Sequence, residues 1–163
     1  MTQMYDITIT SASDKIAKGI LSPSSLAESL IQRIEELEPS LKAWVTIDKP
    51  AVLKAAEALD LELKGKGPRS PLHGIPVGIK DIYYTAGMKT TACSKVYADF
   101  VPTYGATAVT QLKEAGAIVL GKTVTTEFAA GDPPPTINPW NPAHTPGGSS
   151  SGSGAGTAAF LCA

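Results

Sequence analysis

Between Ser22 and Leu37 the apolar residues Leu26, Leu30, Ile31, Ile34 and Leu37 return every three or four positions, the spacing of one helix face. Ser22 and Pro23 stand where a helix N-cap and a first-turn proline belong, and Pro39 is the expected stop. Ala51 to Lys64, rich in Ala, Leu, Glu and Lys, predicts a second helix that ends at Gly65 in a polar stretch reaching Ser70. After Pro71 the period changes. Ile75, Val77 and Ile79 alternate with Pro76, Gly78 and Lys80, the two-residue repeat of a strand, so Lys80 shares a face with Gly78. Gly105 to Ala115, with Val109 and Leu112 on one side and Gly116 as terminator, predicts a helix leading into the short apolar strand Ala117 to Leu120. Strand, helix and strand in that order predict an α/β sheet. The chain divides by pattern into a helical region, 1–70, and a strand/helix and Gly/Ser-rich loop region, 71–163.

The final stretch has a different character. From Gly131 to Thr157, six prolines, six glycines and four serines occupy 16 of 27 positions, too many breakers for a helix or a central strand until the end. The stiff Pro133-Pro134-Pro135 run and the segment Asn138-Pro139-Trp140-Asn141-Pro142 favour an ordered loop over a flexible linker. Trp140 is read as an aromatic that helps hold that loop in one shape. Ala155 to Ala163, small and apolar, predicts a helix that starts after the Gly/Ser run and packs closely on the sheet.

Composition narrows the field further. With 163 residues, 43% of them hydrophobic, the chain is long enough for one domain with its own core. Fourteen basic against fifteen acidic residues give a net charge of -1, which supplies no field for direct nucleic-acid binding. No apolar run reaches the roughly 18 residues of a membrane helix, and Met1 to Ile9 lacks the pattern of a signal peptide, so the expected setting is the cytoplasm, without membrane attachment. Cys93 and Cys162 have no close-spaced partner and read as reduced structural thiols. His73 and His144 stand far apart without carboxylate or cysteine companions at ligand spacing, so the expected chemistry uses neither metal nor cofactor.

The run Gly147-Gly148-Ser149-Ser150-Ser151-Gly152-Ser153-Gly154 invites two chemical readings. As a phosphate cradle it lacks the terminal Gly-Lys-Ser/Thr of a P-loop, and its glycine spacing misses the dinucleotide fingerprint. As a nucleophile elbow, Gly148, Ser150 and Gly152 match G-x-S-x-G, but the turn follows Pro139, Pro142 and Pro146 rather than a strand. A Gly/Ser loop without chemistry is the remaining alternative on spacing alone.

Three blocks in order carry a resemblance. Gly74-Ile75-Pro76-Val77-Gly78-Ile79-Lys80-Asp81, Gly116-Ala117-Ile118-Val119-Leu120-Gly121-Lys122-Thr123, and Thr145-Pro146-Gly147-Gly148-Ser149-Ser150-Ser151-Gly152-Ser153 resemble the amidase signature family. The similarity runs from about Ser22 to the last residue. It implies the N-terminal portion of a single amidase domain, with a mixed β-sheet flanked by helices, and amide hydrolysis through an acyl-enzyme. The family's triad is a lysine, a serine preceded by a cis peptide, and a nucleophilic serine. The resemblance assigns the lysine to Lys80 and the cis serine to Ser149, and it expects the nucleophile and its oxyanion hole beyond residue 163. On that expectation the isolated chain is inactive.

The chemistry of the assigned residues is coherent. A serine hydroxyl is a weak nucleophile until a base takes its proton, and a lysine serves as base only when neutral, a form that burial favours. Ser149 can relay the proton because a hydroxyl both donates and accepts, and Gly78 is expected to leave space for the serine loop. The plain alternative for Lys80 is a lysine paired with Asp81. Lys122 and Glu127 flank Thr123 to Thr126 as pocket wall or structural ion pair, and the resemblance places Phe128 and Ala129 near the acyl group of a small-molecule amide.

A stand-alone amidase, an amidotransferase subunit releasing ammonia from glutamine, and a non-catalytic fragment are the three functional readings. The segment Lys122 to Phe128, Lys-Thr-Val-Thr-Thr-Glu-Phe, favours the stand-alone amidase. An exposed sheet edge predicts self-association as a homo-oligomer or pairing with a C-terminal segment.

Overall fold

A computed structural model describes residues 4–162. It begins with two helices, α1 (Ile9–Ala17) and α2 (Pro23–Leu41), followed by strand β1 (Trp44–Ile47) and helix α3 (Lys49–Lys66). Then come β2 (Pro76–Lys80), α4 (Thr107–Glu114), β3 (Ile118–Thr123) and α5 (Ser151–Ala158).

Capping hydroxyls and carboxylates set the helix starts. Thr8, Ser22 and Asp48 each accept a backbone N–H from the first turn of α1, α2 and α3, satisfying donors that have no partner within the helix. Along α2 the residues Leu26, Ala27, Leu30, Ile31 and Ile34 are buried, as the periodicity requires. Pro39 does not stop this helix. It lies in the last turn, where the missing N–H forfeits a single bond, and the helix runs on to Leu41. Termination falls instead to Lys42, which turns left-handed at φ 55° and donates its N–H to the Glu38 carbonyl. The Glu38 carboxylate then accepts the amides of Ala43 and Trp44 at 3.0 and 2.9 Å, turning the chain into β1. Burial holds this carboxyl above its usual range, against the pull of those two amides.

The region 1–70 is therefore not purely helical, since β1 lies within it and joins the sheet. The strand shows no periodicity of its own because it is four residues long and only Trp44 is buried. α3 is also longer than Ala51 to Lys64, starting one residue after the Asp48 cap and passing Gly65 to a cap at Gly67.

The sheet has the order β1-β3-β2, with β1 antiparallel and β2 parallel to β3. It is a mixed sheet, and α3 packs on β3 while α5 packs on β2 and β3. β3 runs to Thr123, three residues past the predicted end, through Gly121 and Lys122. Gly121 is required here because a Cβ would stand 2.1 Å from the Thr46 carbonyl oxygen, at the register shift between Trp44 and Thr46. Ile75, Ile118, Leu120 and Leu161 are almost fully buried and join the apolar faces of α1, α2 and α3 in one core. Among the described residues no helix is long and apolar enough to cross a membrane.

The helix expected over 155–163 instead begins at Ser151, inside the Gly/Ser run. Gly152 serves packing: its amide donates to the Val124 carbonyl at 2.9 Å, and a Cβ there would meet the Ala43 oxygen at 2.2 Å. The preceding loop is tied to the end of α2, with the Ile137 amide donating to Leu41 and the Thr136 hydroxyl to Lys42. Trp140 does not anchor it, being 82% exposed.

Candidate active site

β2 ends at Lys80, which pairs in register with Thr123 at the end of β3. The long loop after β3 returns over the same strand ends and delivers Ser149 just ahead of α5. The Gly148-Ser149 peptide bond is cis. The Lys80 Nζ and the Ser149 Oγ, 69 residues apart in sequence, form a hydrogen bond of 2.6 Å in which the side chains are partly buried. A groove of about 350 Å³ opens beside them, lined by Gly78, Lys80, Tyr83, Leu112, Ser150 and Ser153 among others.

The loop after β3 holds Ser149 from the backbone. Thr126 donates its N–H to the Ser149 carbonyl at 3.1 Å, and the following turn, Glu127–Ala129, brings Ala129 beside that contact. Ala129 lies one turn from Thr126, donating its amide to the Thr126 carbonyl at 2.8 Å, with Phe128 51% exposed next to it. Ser150 opens α5 without a side-chain cap bond, and the long loop after β3 separates that strand from Ser149, so no strand feeds the Ser150 turn.

Asp81 does not pair with Lys80. It turns its carboxylate the other way, toward Lys122, with 3.6 Å between Oδ1 and Nζ, and both residues are 0% exposed. Lys122 is thus half of a buried ion pair rather than a pocket wall, whereas Glu127 is exposed. Burial pulls the Lys122 ammonium below its usual pKa, and the Asp81 carboxylate opposes that shift. Cys93 lies at the edge of this network: its Sγ accepts the Thr125 amide at 3.3 Å, and burial raises its pKa. Cys162, deeper still, is pushed up by burial to about 11. Both thiols are free.

Two expectations shift in the folded chain. Gly78 does not make room for the serine loop; a Cβ there would meet side chains of Thr123, Trp44 and Cys162 at 2.8, 3.1 and 3.2 Å. His73 is buried inside the helical layer, one ring nitrogen accepting the Arg69 amide and the other donating to the Leu59 carbonyl. The Asp81–Thr91–Cys93 contacts leave no mark in the sequence, because they join loop residues with no periodic pattern. The only cue is the position of Asp81 directly after Lys80.

A strand end thus presents a lysine to a serine ahead of a glycine-rich helix. The Amidase family profile matches residues 25–163, and the chain belongs to that family. It is 42% identical over 165 residues to a glutamyl-tRNA(Gln) amidotransferase subunit from Desulfatibacillum aliphaticivorans, covering 98% of this chain and 34% of that one. The corresponding subunit of Geobacter metallireducens is 43% identical, with 96% and 33% covered. In structure the chain is similar to the native peptide amidase of Stenotrophomonas maltophilia, at TM-score 0.90 and 35% identity over 96% of this chain and 35% of that one. The chain thus spans about a third of the length of the relatives it matches.

Proposed function

We propose that this chain supplies the base and the proton relay of an amide hydrolase and is the N-terminal portion of its single amidase domain. The observation that carries the reading is the 2.6 Å contact between Lys80 Nζ and Ser149 Oγ. Lys80, acting as the base, takes the Ser149 proton while Ser149 takes the proton of a nucleophilic hydroxyl, which attacks the amide carbon and forms an acyl-enzyme. The proton then returns through Ser149 to the departing amine, and water repeats the sequence to release the acid. The nucleophile and the oxyanion donors belong to polypeptide outside these 163 residues. The turn at Ala129, held against Ser149 through Thr126, serves as a wall for the acyl group of a small-molecule amide.

A second reading is favoured by the relatives at 42 and 43% identity, both named as amidotransferase subunits. In it the same chemistry releases ammonia from glutamine and hands it to partner subunits. Either activity is assigned to the cytoplasm, with no metal or cofactor in the proton path.

Ammonia release distinguishes the two readings. The protein expressed from its complete coding sequence is expected to hydrolyse acetamide or benzamide, and Lys80→Ala to lower kcat by about 10²–10⁴. Release confined to glutamine moves the assignment to the second reading. Full activity in Lys80→Ala removes Lys80 from the chemistry altogether. The 163-residue chain alone is expected to release none.

A further inference from the structure

Two of the most deeply buried charges among the described residues are Asp81, next after Lys80 at the end of β2, and Lys122, near the end of β3; neither takes part in the proton path. A buried ion pair is a poor source of stability, because desolvation offsets most of the attraction. What these two charges do instead is collect one loop. The Asp81 Oδ2 accepts the Thr91 amide at 3.0 Å, the Thr91 hydroxyl at 2.6 Å and the Cys93 amide at 3.3 Å. Lys122 Nζ donates to the Tyr83 carbonyl at 2.5 Å and the Thr90 hydroxyl at 2.8 Å. Asp81 Oδ1 has no hydrogen bond and faces only the ammonium.

The loop so held is strained. Ala92 and Cys93 both sit at φ 51°, in the left-handed region that non-glycine residues avoid. Facing them, Phe128 and Ala129 sit at φ 51° and 57°, and the Phe128 amide donates to the Ala92 carbonyl at 3.0 Å. Such conformations persist only where surrounding contacts over-determine them. The contacts therefore run in sequence from the ion pair to Thr91 and Cys93, across Ala92 to Phe128, and through Thr126 to the Ser149 backbone.

We infer that Asp81 and Lys122 are positioning residues that hold the two strained turns, and through them Ser149, in register with Lys80. This rests on the hydrolase reading above for its kinetic consequence, but not for its structural one.

The decisive variant is the double substitution Asp81→Asn with Lys122→Met, made in the protein expressed from its complete coding sequence. It removes both charges at similar volume, so neither is left buried without its partner. A melting temperature higher than that of either single substitution, each of which strands one buried charge, with kcat still low, separates positioning from stability. The expected kcat falls about a hundredfold with KM little changed, as for a displaced reacting group. Hydrogen exchange of peptides covering 124–131 is expected to accelerate, which reports the turn independently of turnover. A folded double variant with parental kcat, or with unchanged exchange in 124–131, overturns the inference. Thr91→Val, which removes the hydroxyl bond to Asp81 and the acceptor of the Cys93 amide, provides the same two readouts if the double variant does not fold. Unchanged kcat together with unchanged exchange in Thr91→Val overturns it equally. Should Lys80→Ala prove fully active, the catalytic reading falls, and exchange in 124–131 alone decides the positioning role.

Discussion

Gly152 lies against Val124 so closely that no side chain fits between α5 and the end of β3. Its amide donates to the Val124 carbonyl at 2.9 Å, and an added Cβ would stand 2.4 Å from the Val124 nitrogen and 2.2 Å from the Ala43 oxygen. All of the opposing atoms are backbone, so nothing flexible can yield. Gly152→Ala is expected to destabilise the fold by about 3 kcal/mol or more, read as a lower urea midpoint. Because α5 begins two residues after Ser149, the same substitution is expected to displace Ser149 from Lys80.

The Lys80–Ser149 contact permits a sharper test than alanine alone. Arginine carries a permanent positive charge and cannot give up its proton near neutral pH, so it cannot act as a base. Lys80→Arg is therefore expected to be as inactive as Lys80→Ala, with ammonia release down by about 10²–10⁴. Ser149→Ala is expected to fall in the same range. Retained turnover in Lys80→Arg would mean that the charge of residue 80, and not its basicity, supports the reaction.

Ile34 tests the core built by α2. The side chain is 2% exposed and packs among Leu30, Leu59 and the sheet residues of one cluster. Ile34→Ala removes three methyl-sized groups and leaves a cavity, at an expected cost of about 2–5 kcal/mol. A urea titration should show a lower midpoint at an unchanged slope. A loss under about 1 kcal/mol, the range of surface substitutions, would show that α2 packs loosely.

Cys162 sets an alkaline limit. Burial raises its thiol from the ordinary 9.0 to about 11. Below pH 9 the thiol is protonated in both folded and unfolded chains and contributes nothing to the pH dependence. Between pH 9 and 11 the unfolded chain loses a proton that the folded chain keeps, so stability falls as pH rises. The loss is about 2 kcal/mol by about pH 11. Cys162→Ala is expected to remove this slope, measured as the difference between the two proteins' denaturation midpoints across that window. Lys122 works in the opposite sense, since its lowered pKa makes the unfolded chain the better proton binder at high pH. The comparison at Cys162 isolates one group from the other.

Much of the architecture is legible in the sequence because it rests on local patterns. The apolar face of α2, the alternation at Ile75, Val77 and Ile79, and the helix-to-strand step around Gly116 each repeat within a few residues, where periodicity has a direct meaning. The boundaries are less legible. α2 continues past Pro39 because a proline in the last turn costs little, and α5 starts early because Gly152 is held against Ala43 and Val124. β1 is hidden for a related reason: its four residues gain their strand geometry from pairing with β3, not from any pattern of their own.

By itself the sequence determined the elements that local propensity controls, and its three ordered glycine-rich blocks carried the resemblance that singles out Lys80 and Ser149. Tertiary structure alone decided which charges meet. Asp81, one residue from Lys80, points away from it because successive residues at a strand end face opposite sides, and so it finds Lys122 on the neighbouring strand. Lys80 is left to Ser149, brought back by a loop whose course depends on contacts with the end of α2 and the Thr126 turn. Those contacts join residues dozens of positions apart, and no local spacing encodes them.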